Sequence, residues 1–304
     1  MSLETDLILD RHRLKRRLIT WRVIAILAVL FAALAVIGRA DFQLPGDRYV
    51  AVLHVNGIIT DDEKRVRAVS RLAGDSDVAA LMVEIDSPGG SVAGGEALHD
   101  AVARVAAVKP VVTVMGGTAA SAGYMIAVPA ARIFARNATI TGSIGVIMEA
   151  PEFSGLLDKL GIDVQTLVSG PLKGQPSFSA PMTPAGHVAL QSLLMDLYDQ
   201  FVGMVADGRH MSVDDVRKLA DGRAYTGRQA IGLHLVDQIG GEDDARAWLA
   251  SAKGIPASLP LRDVHLRKKG VSLFGIRLNG LANLLFSQTV PLDGAVALWQ
   301  PSTD

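Results

Sequence analysis

The chain has no cysteine. That excludes disulfides, thiolate nucleophiles and cysteine-zinc centres, and it leaves the redox compartment open. Aromatic residues are scarce, at 5%. There is no charge excess either: 30 Lys and Arg face 31 Asp and Glu, a net charge of −1. A near-neutral chain gives no electrostatic case for a nucleic-acid partner. Tandem repeats and low-complexity segments are also missing. What is present is 49% hydrophobic and 20% charged residues over 304 positions. This suits a globular α/β domain with appendages rather than a disordered chain.

One appendage is N-terminal. Residues 11–17 read "RHRLKRR", and residues 18–38, "LITWRVIAILAVLFAALAVIG", are apolar except for Arg22. A bilayer core takes about 20 apolar residues in a helix. Arg22 lies at the basic end, where its stem can snorkel, and Trp21 suits the same interface. The expected organisation is a cytoplasmic basic segment (1–17), a transmembrane anchor (18–38), a linker (39–48), a globular domain (49–255) and a C-terminal tail (256–304). The basic cluster stays in the cytoplasm, so the domain is expected outside the inner (cytoplasmic) membrane, on a single-pass anchor. A cleaved signal peptide is the alternative, because Gly38-Arg39-Ala40 offers the small residues that cleavage needs.

From residue 49 the pattern alternates. "RYVAVLHVNGII", "VAALMVEID" and "PVVTVM" read as buried strands, while "DDEKRVRAVSRLAGD" and "AGGEALHDAVARVAAV" have helical spacing. "ASAGYMIAVPAARIFA" opens as a helix. Such alternation predicts βαβ units around a mainly parallel sheet, the α/β class. Ligands in such sheets bind at the carboxyl ends of strands. Two small-residue segments fall there, "DSPGGS" (86–91) and "GGTAASAG" (116–123). Gly89 and Gly90 allow close backbone approach, and N–H groups at a helix start can hold an oxyanion. Taken alone, "SPGG" is also an ordinary turn. Ser121 is a lone hydroxyl among residues too small to cover it, which fits a nucleophile.

A serine nucleophile needs a base. None of the seven histidines stands in a recognisable catalytic signature, and Asp86 reads as a turn or cap residue. A desolvated lysine can serve instead. Lys173 differs from the other eight lysines in standing alone in "SGPLKGQPSFSAPMTP", away from acids; from the residues alone the better reading is still a solvated loop lysine. No metal-ligand or cofactor motif is found.

In order, "VEIDSPGGS", "TAASAGYMIA", "TGSIGV" and "SGPLKGQPS" resemble the signal peptide peptidase A family of membrane-anchored serine proteases. The resemblance covers residues 50–255 and implies a Clp/crotonase-like core of repeated ββα/βαβ units behind an N-terminal transmembrane helix. It implies a Ser/Lys dyad of Ser121 and Lys173, with Ser143 helping to orient the lysine and backbone N–H groups of Gly90 and Ala122 forming the oxyanion hole. The 52-residue gap between Ser121 and Lys173 fits the family's short form. It also implies a homo-oligomer in which the lysine sometimes comes from the neighbouring subunit, no cofactor, and peptide substrates such as cleaved signal peptides or misfolded envelope proteins. A lysine base acts when neutral, so activity is expected to rise towards mildly alkaline pH.

Two positions depart from the family pattern. Ala122 stands where glycine is common, and Gly174 follows the lysine where an acid is common. If position 122 needs a positive φ, alanine costs about 1 kcal/mol or more there. Three other readings stay open: a related membrane protease with a regulatory substrate, a catalytically weak binding homologue, and a crotonase-type acyl-CoA enzyme. "PAGHVALQSLLMDLYDQFVGMVADGR" suits a contact helix, and "VSLFGIRLNGLANLLF" in the tail is too short and glycine-broken for a second span.

Overall fold

The computed structural model describes residues 21–29, 48–264 and the backbone of 296–298. These fall into two compact units, divided between residues 47 and 48. In the first, residues 21–29 form an exposed helix, α1. Among the described residues no helix is long and apolar enough to cross a membrane. The remainder of the expected anchor, 18–38, lies outside the described residues, as does the apolar tail segment 271–286.

The second unit is built around one sheet. The order along the chain is β1 (Tyr49–Ile59), α2 (Glu63–Arg71), β2 (Val78–Ser91), α3 (Val92–Ala106), β3 (Val111–Ala120) and α4 (Ala122–Ala127). Then come β4 (Arg132–Ala135), β5 (Ile140–Gly142), α5 (Ser154–Leu160), α6 (Pro184–Arg209) and α7 (Val213–Leu219). The unit ends with β6 (Ala224–Thr226), α8 (Gly227–Gly232), β7 (Gln238–Ile239), α9 (Glu242–Lys253), β8 (Leu261–Asp263) and β9 (Val296–Leu298). The main path is β6-β5-β3-β2-β1-β8, with β4 and β9 joined to β3 and β2. The pairs of β1 with β2 and β8, and of β3 with β2, β4 and β5, are parallel. The β5–β6 and β2–β9 pairs are antiparallel. The fold is thus mixed α/β, with the expected βαβ units at its centre.

Both faces of the sheet are covered, which is why its central strands are continuous apolar runs. Along β1, Ala51, Leu53 and Val55 join the larger core cluster with residues of α3, α4 and α6. The alternate residues Val50 and Val52 join a second cluster with Met82, Val112, Phe134 and Leu249 of α9. Helix starts carry their own caps. The Asp62 carboxylate accepts the N–H groups of Lys64 and Arg65 at 3.0 and 3.1 Å. Ser91 ends β2 and caps α3, its hydroxyl accepting the Gly94 N–H at 3.3 Å.

Candidate active site

Two strand ends converge. β3 stops at Ala120, and Ser121 makes the turn into α4 with φ 56° and ψ −120°. A non-glycine residue at positive φ is strained, and such strain gathers at sites where a side chain must be presented sharply. The turn is held by backbone bonds: the Ser121 N–H donates to Gly142 O at 2.8 Å, and the Met125 N–H donates to Ser121 O at 2.9 Å. Below it, the Thr141 hydroxyl donates to Ala119 O at 2.7 Å, tying β5 to β3. Tyr124, fully buried in α4, donates to Leu235 O at 2.9 Å. Burial pushes its phenol well above the ordinary range.

Ser121 is buried, yet its Oγ has no hydrogen-bond partner among the described residues. Leaving a buried hydroxyl unpaired costs about 1–3 kcal/mol. A packing residue would avoid that cost as alanine.

The end of β2 forms the facing wall. Ser87 is buried; its hydroxyl donates to Gly57 O at 2.6 Å and accepts the Gly89 N–H at 3.1 Å. The Asp86 carboxylate accepts the N–H of Thr118 in β3 at 3.0 Å, tying the end of β2 to β3. Gly90 lies so close to β1 that an added Cβ would sit 2.0 Å from Ile59 O. A Cβ on Gly95 would meet the Ala122 Cβ at 3.0 Å. The first turn of α3 therefore packs directly on the start of α4, and the two small-residue segments form one site.

Position 122 is not among the residues with positive φ; the left-handed conformation is at Ser121 itself. Ala122 opens α4 without strain, and its N–H begins a helix, where no intrahelical acceptor exists. Ser143 follows Gly142, which pairs with Ala120, so Ser121 and Ser143 leave adjacent parallel strands side by side. Ser143 is buried at φ 49°, and its N–H donates to Arg223 O at 3.0 Å. A cavity of about 270 Å³, lined by Ser143, Val146, Tyr198 and Gly222, opens beside it.

Lys173 stands apart. It is exposed in the turn 170–174, where its N–H donates to Gly170 O at 3.1 Å. The structure brings Ser121, Ser143, Ala122 and the Gly90 strand together, and it does not bring Lys173 into hydrogen bonding with Ser121. No group of three metal-ligating side chains comes together among the described residues. A larger cavity, about 630 Å³, is lined by His99, Lys109, Val111, Ala131 and His210. It lies at the starts of β3 and β4, away from Ser121.

Sequence reasoning passed over Ser87 and Ser91. The available signal was their position, one just before and one just after the Pro-Gly-Gly of "SPGGS".

Residues 103–256 match the family model described as Peptidase family S49. Over 215 residues the chain is 38% identical to a Synechocystis sp. protein with a protease name, covering 70% of this chain and 78% of that protein. Over 221 residues it is 36% identical to an Enterococcus faecium protein named for signal peptide peptidase SppA, covering 68% of this chain and 64% of that one. A solved membrane-bound stomatin-specific protease aligns over 72% of this chain and 98% of its own, at TM-score 0.49 and 13% identity.

Proposed function

Because the chain belongs to peptidase family S49, the signal peptide peptidase A family, we propose that it is a serine endopeptidase with Ser121 as nucleophile and Lys173 as base. The observation that carries this reading is the Ser121 turn: a strained, buried serine whose hydroxyl has no partner among the described residues, beside the glycine-rich end of β2. The core is read as Clp-like.

In the proposed reaction the neutral Lys173 amine takes the Ser121 Oγ proton as the oxygen attacks a peptide carbonyl. Backbone N–H groups of Gly90 and Ala122 hold the oxyanion. The lysine returns the proton to the leaving amine, and the C–N bond breaks. Water, deprotonated by the Lys173 amine, then attacks the acyl-enzyme; the lysine returns that proton to Ser121 Oγ as the ester C–O bond breaks, releasing a carboxylic acid and the free serine. Ser143, next to Ser121, orients the lysine. The position of the basic and apolar N-terminal segments supports a membrane-anchored, extracytoplasmic enzyme acting on cleaved signal peptides or misfolded envelope proteins.

The exposed Lys173 favours a second reading, a homologue that binds peptides without cutting them. A fluorophosphonate probe separates the two. The peptidase reading expects labelling at Ser121, located by mass spectrometry, that rises from pH 6 to 9 and is lost in Ser121→Ala and Lys173→Ala. An oligomeric, folded wild type without label would support the binding reading.

A further inference from the structure

Regular pairing lapses on both sides of one residue of β2. Asn56 of β1 pairs with Asp86, and pairing resumes at Ile58 with Gly89, so β2 carries one more residue than β1 across the gap. On the other side Ile85 pairs with Met115, and pairing resumes at Ser87 with Ala119, so there β3 carries the excess. Bulges of this kind re-aim a strand, and they gather beside active sites. Ser87 stands inside the first gap and closes the second.

Its side chain bridges the first gap. The fully buried hydroxyl donates to Gly57 O at 2.6 Å and accepts the Gly89 N–H at 3.1 Å. Gly57, at φ 69°, is the residue of β1 that the register skips. Pro88, between Ser87 and Gly89, has no N–H to offer. One hydroxyl thus holds the two strands together where the ladder does not. The rest of Ser87 supports the other side of the site. A Cβ added to Gly123 would sit 3.1 Å from Ser87 O and 3.6 Å from Ser87 Cβ, so α4 rests on Ser87 two residues after Ser121.

We propose that Ser87 is a positioning residue of the reaction. Its hydroxyl fixes the course of β2 into Gly90, and its backbone sets the depth of α4, so the two sides of the site keep one spacing. This role rests on the peptidase reading, with Ser121 as nucleophile and Gly90 as an oxyanion donor. Such a donor acts on the transition state more than on bound substrate. Loss of the Ser87 hydroxyl therefore belongs in kcat rather than KM.

The test uses the full chain in detergent, with Ser87→Ala and with Ser87→Thr, which keeps a hydroxyl. Urea denaturation gives the stability, and rates on a fluorogenic peptide are taken per folded chain. Ser87→Ala is expected to lower kcat by about tenfold to 10²-fold, with KM changed by less than about threefold. Its affinity for a peptide boronate, which becomes tetrahedral on the serine, is expected to fall in the same proportion as kcat/KM. Ser87→Thr is expected to recover most of kcat; if it does not fold, the boronate result for Ser87→Ala decides. A residue that only stabilises the fold would lower the urea midpoint and leave kcat per folded chain and boronate affinity unchanged. That result overturns the proposal, and so does a loss confined to KM. If the wild type neither hydrolyses peptide nor takes the fluorophosphonate label, the peptidase reading fails. Hydrogen exchange at Gly89 then decides the local part alone: faster exchange in Ser87→Ala supports the bridge, and unchanged exchange overturns it.

Discussion

At Ser121 the backbone and the side chain both carry costs that packing does not explain. The residue takes φ 56°, and its buried Oγ is unpaired. Ser121→Ala removes the orphan hydroxyl and leaves the turn bonds in place, so stability is expected to hold or rise by about 1 kcal/mol while fluorophosphonate labelling disappears. Urea denaturation checks the first half; a clear loss of stability would mean that the hydroxyl has a structural partner. The sequence made the serine visible because its neighbours are so small, but not its conformation. Alanine at 122, where glycine is usual, would be costly only at a positive φ; the fold puts the positive φ one residue earlier, leaving Ala122 as an ordinary first helical residue. Backbone conformation follows from the strand-to-helix turn, and residue type alone does not report it. Lys173 was legible as an isolated lysine, and a single chain leaves it exposed.

Between elements, the regular part of the fold was legible because its causes are local. β1, β2 and β3 are apolar runs, and α6 spans Pro184–Arg209, the stretch read as a contact helix. The short strands were not: β4, β5 and β6 have three or four residues each and exist through pairing with distant partners. "ASAGYMIAVPAARIFA" opens with a helix as expected, but α4 stops at Ala127 and Arg132–Ala135 is a strand that the sequence pattern did not announce. What fixes that strand is Asp237, more than a hundred residues away in sequence. Its carboxylate accepts the Ile133 N–H at 2.7 Å and both terminal nitrogens of Arg209, at 3.1 and 2.6 Å. One side chain thereby joins the C-terminus of α6, β4 and the segment leading into β7. The Arg209 side chain is 7% exposed, so removing its partner strands a buried charge. Asp237→Ala is expected to cost about 3–5 kcal/mol. Asp237→Asn, which keeps an acceptor for Ile133, is expected to cost less. Equal, small losses in both, measured by chemical denaturation, would show that the ion pair contributes little.

For the whole molecule, the distribution of apolar surface sets the last expectation. α5 buries none of its residues. α6 has twenty-six residues, and its buried ones are Gly186 near the start and a cluster from Phe201 to Ala206. Between and beside them Phe153, Leu156, Leu160, Leu167 and Phe178 are more than half exposed, Leu167 completely. So many exposed apolar side chains within one stretch of chain are more than scattered surface leucines, and they are what a contact face would present. Lys173 lies within the same stretch, so whatever covers that face also changes the lysine's surroundings. A second copy of the chain would account for the bare face and for the missing partner of Ser121. The protein in detergent is therefore expected to be a homo-oligomer by light scattering. Leu167→Glu with Phe178→Glu is expected to dissociate it and to abolish Ser121 labelling, although Ser121 and Lys173 are both intact. If the dissociated double variant labels as fast as wild type, the dyad assembles within one chain, and the 153–178 surface serves another purpose. Mixing Ser121→Ala with Lys173→Ala then distinguishes the source of the base. Hydrolysis recovered in the mixed oligomer requires the serine of one subunit to meet the lysine of another; no recovery requires both from the same chain.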